Sequence, residues 1–248
     1  MGFVLYFIQN KLLYFPTPNF SIPEKTLVFQ NNDENISVII THQGKKNALL
    51  YFGGNGESVR SNTQNIAQFF PNFTCYLLEY RGYGASSGKA NEKTLYSDAL
   101  KLYETIQSKH ANIFLMGRSL GSGIATYVAS QKKISKLVLV TPYDSIVNVA
   151  QKAYPIYPAF LLLKDQYNAF QFVKNIATPT LVIIAKEDKI IPFKNTQNLI
   201  NSFKDITPKV VIIKQRNHHN LTNSFFYKKA LRDFFNLPIK KESNVSIL

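Results

Sequence analysis

Short apolar runs punctuate the chain at 36–40, 48–52, 74–78, 113–116, 137–140, 181–184 and 210–213. Each is rich in branched aliphatic or aromatic residues, is flanked by polar or turn-forming positions and is too short for a helix, so each predicts a strand. Between them, 58–70, 92–107, 122–131, 193–203 and 221–235 mix polar and apolar positions as amphipathic helices do. Continuous rather than alternating apolar strands imply burial on both faces. Their alternation with helices predicts the α/β class, a mostly parallel central sheet flanked by helices. A chain of 248 residues with 45% hydrophobic content can bury one sizeable core, and no internal repeat divides it, so a single domain over 21–237 is expected.

The two ends depart from this pattern. Residues 2–15 are largely apolar but too few to span a bilayer, which takes about 20 residues, and they lack the basic start and small-residue cleavage site of a secretory signal. Segment 1–20 is therefore expected either to anchor in a membrane interface or to fold against the body of the protein. Pro16 and Pro18 mark its exit towards the first strand. The polar tail 238–248 is expected to fray. The stretch 142–176 is longer than an ordinary strand-to-helix connection and is crowded with aromatics, while Pro155 and Pro158 preclude one long helix there.

Candidate chemistry begins at Gly117-Arg118-Ser119-Leu120-Gly121, which follows the apolar run 113–116 and precedes a helix-compatible stretch. In a strand-turn-helix context, Gly-x-Ser-x-Gly lifts the serine clear of its backbone, and the glycines let strand and helix pack closely. Asp188 follows the run 180–185, and the adjacent His218 and His219 follow 210–213. Serine, acid, histidine is a chain order that suits nucleophilic catalysis, because a serine alcohol is a poor nucleophile at neutral pH without a base, and the base needs a partner that fixes its tautomer. His219 is taken as that base, with His218, on the same turn, the competing candidate. Asp188 is taken as the acid, with Asp144, after the strand 137–140, as the alternative. His42 and His110 precede the serine and sit among polar residues as loop histidines do.

Five segments in the same order carry a resemblance: 50–57 (Leu-Tyr-Phe-Gly-Gly-Asn-Gly-Glu), 79–88 (Glu-Tyr-Arg-Gly-Tyr-Gly-Ala-Ser-Ser-Gly), 117–121, 178–192 with Asp188 and Ile191-Pro192, and His218-His219-Asn220. Together they span most of the chain, and it resembles the α/β-hydrolase superfamily, in particular the α/β-hydrolase-domain (ABHD) proteins and their bacterial relatives. The resemblance implies an α/β-hydrolase fold with a short cap after the sixth strand, at about 143–176. It implies a catalytic set of Ser119, Asp188 and His219, the last because the family's histidine is commonly followed by asparagine, as His219 is by Asn220. It also implies that the backbone NH groups of Asn55 and Leu120 form an oxyanion hole. Relatives usually carry histidine where Gly53 stands, so a loosened oxyanion loop is expected. Phe160, Leu161 and Leu162 in the cap are expected to contact an apolar acyl chain.

The remaining features narrow the function. Cys75 is the single cysteine, which excludes an intramolecular disulfide, suits a cytoplasmic location and, in an apolar strand, reads as a core residue. No cysteine or histidine cluster has metal-ligand spacing, and the stretch 81–87 lacks the third glycine of a dinucleotide fingerprint, so neither metal nor cofactor is expected. The net charge of +14 is scattered in ones and twos without interleaved aromatics, which argues against nucleic acid and leaves peripheral attraction to an anionic membrane, at its inner face, as the partner it would suit. The expected function is a serine hydrolase cleaving a small acyl ester or thioester without a cofactor. A lysophospholipase or protein deacylase, and a non-catalytic binding protein on the same fold, are the alternatives. Oligomeric state is not legible in the chain.

Overall fold

The computed structural model describes residues 9–11, 13–156 and 158–237. Eight strands form one sheet: β1 (Lys25–Asn31), β2 (Glu34–Thr41), β3 (Asn47–Phe52), β4 (Phe73–Leu78), β5 (Asn112–Arg118), β6 (Lys136–Val140), β7 (Thr180–Ala185) and β8 (Lys209–Ile213). Their order is β1-β2-β4-β3-β5-β6-β7-β8. β2 runs antiparallel to both its neighbours, and all pairings from β4 through β8 are parallel. The chain thus has the mostly parallel sheet that its continuous apolar runs imply.

Burial explains that legibility. Every residue of β4 and β7 is buried, and alternate positions feed two cores, Leu50 and Phe52 packing on one face of the sheet and Leu49 and Tyr51 on the other. β1 escaped the pattern because it is an edge strand with a half-exposed alternation and no fully buried residue. Its signal was the turn that follows: Asn32 and Asp33 both adopt positive φ, 48° and 62°, and bring Asn31 opposite Glu34, as a two-residue hairpin requires.

The main helices are α1 (Val59–Phe69), α2 (Glu92–Ile106), α3 (Leu120–Gln131), α4 (Ile146–Ala153), α5 (Ala159–Leu162), α6 (Ala169–Phe172), α7 (Phe193–Asn201) and α8 (Phe225–Phe235). Ser58, Ser145 and Ser224 cap α1, α4 and α8, and Asn91 with Thr94 forms a capping box on α2. The connection from β6 to β7 carries the short helices α4, α5 and α6. The first ends at Ala153 ahead of Pro155, and the second begins after Pro158. The segment 79–88 is structural: Arg60 pairs bidentately with buried Glu79, and Arg81 with Asp98. A Cβ on Gly84 would fall 1.7 Å from Glu79 Oε1. Cys75 is buried in β4, and burial pushes its thiol up to about 12.

Crossovers from β3 lead first to β4 on one side and then, through α2, back to β5 on the other. The strand order reverses there, so the loops leaving β3 and β5 are neighbours at the carboxyl edge, where a crevice opens in this kind of sheet. Among the described residues no helix is long and apolar enough to cross a membrane. Residues 1–8 and 12 of the segment expected to anchor in a membrane interface or fold against the body, and the tail 238–248 expected to fray, lie outside the described residues. Residues 9–11 and 13–15 fold onto the body: Tyr14 is buried, its hydroxyl bonded to Asp165 and Tyr167, and Gln9 bonds the Leu162 carbonyl and the Lys164 NH.

Candidate functional site

Ser119 sits at the turn between β5 and α3 with φ 48° and ψ −118°, a strained backbone held from both sides. Its NH donates to the Val140 carbonyl, and its carbonyl accepts from the Ser122 NH and hydroxyl. Close approach dictates the flanking glycines. A Cβ on Gly117 would lie 2.2 Å from the Gly121 carbonyl oxygen, and one on Gly121 would lie 2.1 Å from that of Phe52. The two glycines of the pentapeptide are thus required by packing.

Ser119 Oγ lies 2.9 Å from Nε2 of His218, and Nδ1 of the same ring lies 2.7 Å from Oδ2 of Asp188. The expectation of His219 as the base is corrected: His218 faces the serine, and His219 is exposed on the turn. The turn itself explains which histidine points inward. Asn217 Oδ1 accepts the NH groups of His219 and Asn220, Asn220 Oδ1 accepts the NH of Asn217, and the His218 carbonyl accepts Arg118 Nη2 at 3.0 Å. Fixed so, the chain sends the ring of His218 towards Ser119. The asparagine after the histidine pair is thus part of the turn's clasp.

Asp188 leaves β7 with its side chain 5% exposed. Its Oδ1 accepts the NH groups of Ile190 and Ile191 at 2.9 and 2.8 Å, which leaves Oδ2 for the imidazole. A carboxylate only accepts, so Nδ1–H donates to it and Nε2 of the neutral ring is free to accept from the Ser119 hydroxyl. The alternative acid, Asp144, is engaged elsewhere: it is buried and accepts four bonds, from the Ser145 NH and the side-chain amides of Asn148, Asn195 and Asn198. Asp144→Asn would set an amide NH₂ against those donors. It is expected to lower stability by about 2–3 kcal/mol while the folded enzyme keeps its turnover, as denaturant titration beside steady-state kinetics would record. A loss of kcat with stability intact would instead move the acid to this position.

The loop after β3 crosses close to the serine, and a Cβ on Gly54 would be 3.6 Å from that of Ser119. Among the described residues, the backbone NH groups of Asn55 and Leu120 donate no hydrogen bond within the protein, and that of Leu120 is among the free donors at the start of α3. The Asn55 side chain is occupied, accepting from the Phe15 NH and the Tyr83 hydroxyl and donating to the Leu13 carbonyl. The expected loosening at Gly53 is offset by other contacts. Tyr80 donates its hydroxyl to the Gly53 carbonyl at 2.7 Å, and Glu57 accepts the Gly54 NH at 2.8 Å. A Cβ at Gly53 would meet Val59 Cγ1 at 2.8 Å, so a side chain there would need the neighbour to move. Sequence reasoning missed the pair Glu57–Arg118, whose Oε2–Nη1 distance is 2.9 Å. Its partners are 61 positions apart, and no local signal links them.

Of the residues expected to contact an acyl chain, Phe160 and Leu161 are 63% and 68% exposed, and Leu162 is half-buried with its carbonyl held by Gln9. Among the described residues no group of three or more His, Cys, Asp or Glu side chains could hold a metal ion.

Comparison with known proteins agrees with this architecture. A protein-family model for the alpha/beta hydrolase fold matches residues 47–161. An uncharacterized protein of Mycobacterium tuberculosis is 28% identical over 231 residues, which cover 86% of this chain and 80% of that protein. Alpha/beta hydrolase domain-containing protein aho-3 of Caenorhabditis elegans is 30% identical over 155 residues, 59% of this chain and 45% of its own length. The human alpha/beta hydrolase domain-containing protein 17C is 29% identical over 132 residues, 50% of this chain and 38% of its own length. Among solved structures, the Pyrococcus furiosus esterase Pf2001 superimposes with a TM-score of 0.72 at 16% identity, covering 90% of this chain and 98% of that one. Est1E from Butyrivibrio proteoclasticus, with ferulic acid bound, gives 0.70 at 16% identity, with 85% and 98% covered.

Proposed function

Because this chain is an α/β-hydrolase superfamily protein resembling the ABHD proteins, we propose that it is a serine hydrolase that cleaves carboxylic esters or thioesters through an acyl-enzyme on Ser119. The observation that carries this reading is the continuous hydrogen-bonded chain from Asp188 through His218 to the Ser119 hydroxyl, beside two backbone NH groups that have no acceptor among the described residues.

His218 Nε2 takes the hydroxyl proton as Oγ attacks the acyl carbon, and the carbonyl π pair moves onto oxygen. Asp188 stabilises the imidazolium and holds its tautomer. The NH groups of Asn55 and Leu120 then donate to the oxyanion, each such donor being worth about 10² to 10³ in kcat. As the pair returns, the bond to the alkoxide or thiolate breaks, and His218 delivers its proton to that leaving group. Water repeats the sequence on the acyl-enzyme, releasing the acid and restoring Ser119. The exposed Phe160 and Leu161 offer apolar surface that an acyl chain would cover.

The test is hydrolysis of p-nitrophenyl esters from acetate to palmitate by the unaltered protein and by Ser119→Ala. Activity dependent on Ser119 is expected, with a chain-length optimum that reports the acyl site. A folded protein that hydrolyses none of them and takes no fluorophosphonate label would sink the enzymatic reading in favour of a binding protein on this fold.

A further inference from the structure

Arg118 ties together three pieces of chain that catalysis must keep in register. Its own backbone precedes Ser119, its Nη1 donates to Glu57 Oε2 at 2.9 Å, and its Nη2 donates to the carbonyl of His218 at 3.0 Å. Glu57 passes the connection on. Its Oε2 also accepts the NH of Gly54 at 2.8 Å, one residue before Asn55, and its Oε1 accepts from the Tyr51 hydroxyl and the Asn62 amide, both at 2.6 Å. The two side chains are 15% and 7% exposed, so water screens the pair weakly. Burial alone would push the arginine down, but Glu57 and the neighbouring Tyr51 outweigh it and raise its pKa. Arg118 Nε, also buried, has no hydrogen-bond partner among the described residues. Leaving a guanidinium NH orphaned is unfavourable, and the side chain is nonetheless held where its two Nη groups meet Glu57 and His218.

We infer that Arg118 and Glu57 are positioning residues for the hydrolytic reaction, a partly buried clamp that sets the oxyanion loop, the serine turn and the base-bearing turn against one another. It supplies bracing that Gly53, which has no side chain, does not. Neither residue touches the reacting atoms; they act through Gly54 and through the His218 backbone. Arginine suits the role because its planar fork reaches two acceptors at once, whereas lysine presents a point charge. Displacing a catalytic group by about 1 Å can lower the rate on the order of 10²-fold, which sets the scale of the effect.

The inference rests on the serine hydrolase reading, and its test has one arm that does not. For Glu57→Gln, kcat on p-nitrophenyl butyrate is expected to fall by about 10- to 100-fold with KM within about threefold. Arg118→Lys should lose less than Arg118→Met, because an ammonium still neutralises Glu57. In parallel, amide hydrogen exchange in Glu57→Gln should quicken both over 53–57 and over 216–220, although the substitution lies in only one of these loops. Tyr51→Phe, which removes a single bond to Glu57, replaces Glu57→Gln should the latter fail to fold. A folded variant with unchanged kcat, or with faster exchange confined to 53–57, overturns the clamp. If the unaltered protein shows no Ser119-dependent hydrolysis, the functional reading fails, and the exchange arm alone decides whether the two loops are mechanically joined.

Discussion

Alanine in place of His218 is expected to lower kcat on p-nitrophenyl esters by about 10⁶-fold, the scale on which removing the base disables a serine nucleophile, whereas His219→Ala should stay within a few-fold of the unaltered protein. The contrast follows from geometry. His218 lies between Ser119 and Asp188 at 2.9 and 2.7 Å, while the ring of His219 is exposed on the turn, edge-on to that of His218 at 5.7 Å, and its NH donates to Asn217 Oδ1. Residual turnover in His218→Ala would come from the oxyanion donors and binding alone. Steady-state kinetics on the two variants, each checked for folding by circular dichroism, would decide it. Turnover lost with His219 and kept without His218 would mean that the turn rearranges when substrate binds.

Asp188→Asn is expected to lower kcat by about 10⁴-fold, as the equivalent change does where a carboxylate fixes a tautomer. The surroundings of Asp188 make the outcome specific. Oδ1 is held by two backbone donors, Ile190 NH and Ile191 NH, so an asparagine keeps its carbonyl oxygen there and turns its NH₂ towards His218 Nδ1. Nδ1 must then accept, the proton moves to Nε2, and the ring can no longer take the Ser119 proton. Stability should change little because the fold of the loop is retained. A pre-steady-state assay should therefore show slowed acylation with KM nearly unchanged. A loss of less than about tenfold would mean that the imidazole keeps its tautomer by another contact.

Much of the fold was legible because parallel strands buried on both faces leave continuous apolar runs, and the runs at 48–52, 74–78 and 181–184 lie within β3, β4 and β7. β1 was not, since only its middle positions 27–29 are apolar, between polar residues, and none of its residues is fully buried. The serine turn was legible for a local reason: Gly117 and Gly121 meet backbone at 2.2 and 2.1 Å where any Cβ would stand, so the packing constraint is written in the residues flanking Ser119. The position of Asp188, whose carboxylate meets His218 Nδ1, follows from its place after β7.

The choice between His218 and His219 was not legible, because neighbours on one turn share the same local sequence. The direction each ring takes is set by the clasp of Asn217 with Asn220 and by Arg118. The bracing of the oxyanion loop was hidden for the same reason at longer range. Gly53 alone predicts a loose loop, whereas Glu57 is held by Arg118 from 61 positions away, and that arginine reaches a carbonyl 100 positions further on. The sequence by itself determined the strands, the strained serine turn and the residue types available for acyl transfer, since these follow from burial and close packing that act locally. Only the tertiary structure decided which histidine faces Ser119 and what holds the loop after β3, because those depend on side chains from separate strands meeting at one edge of the sheet.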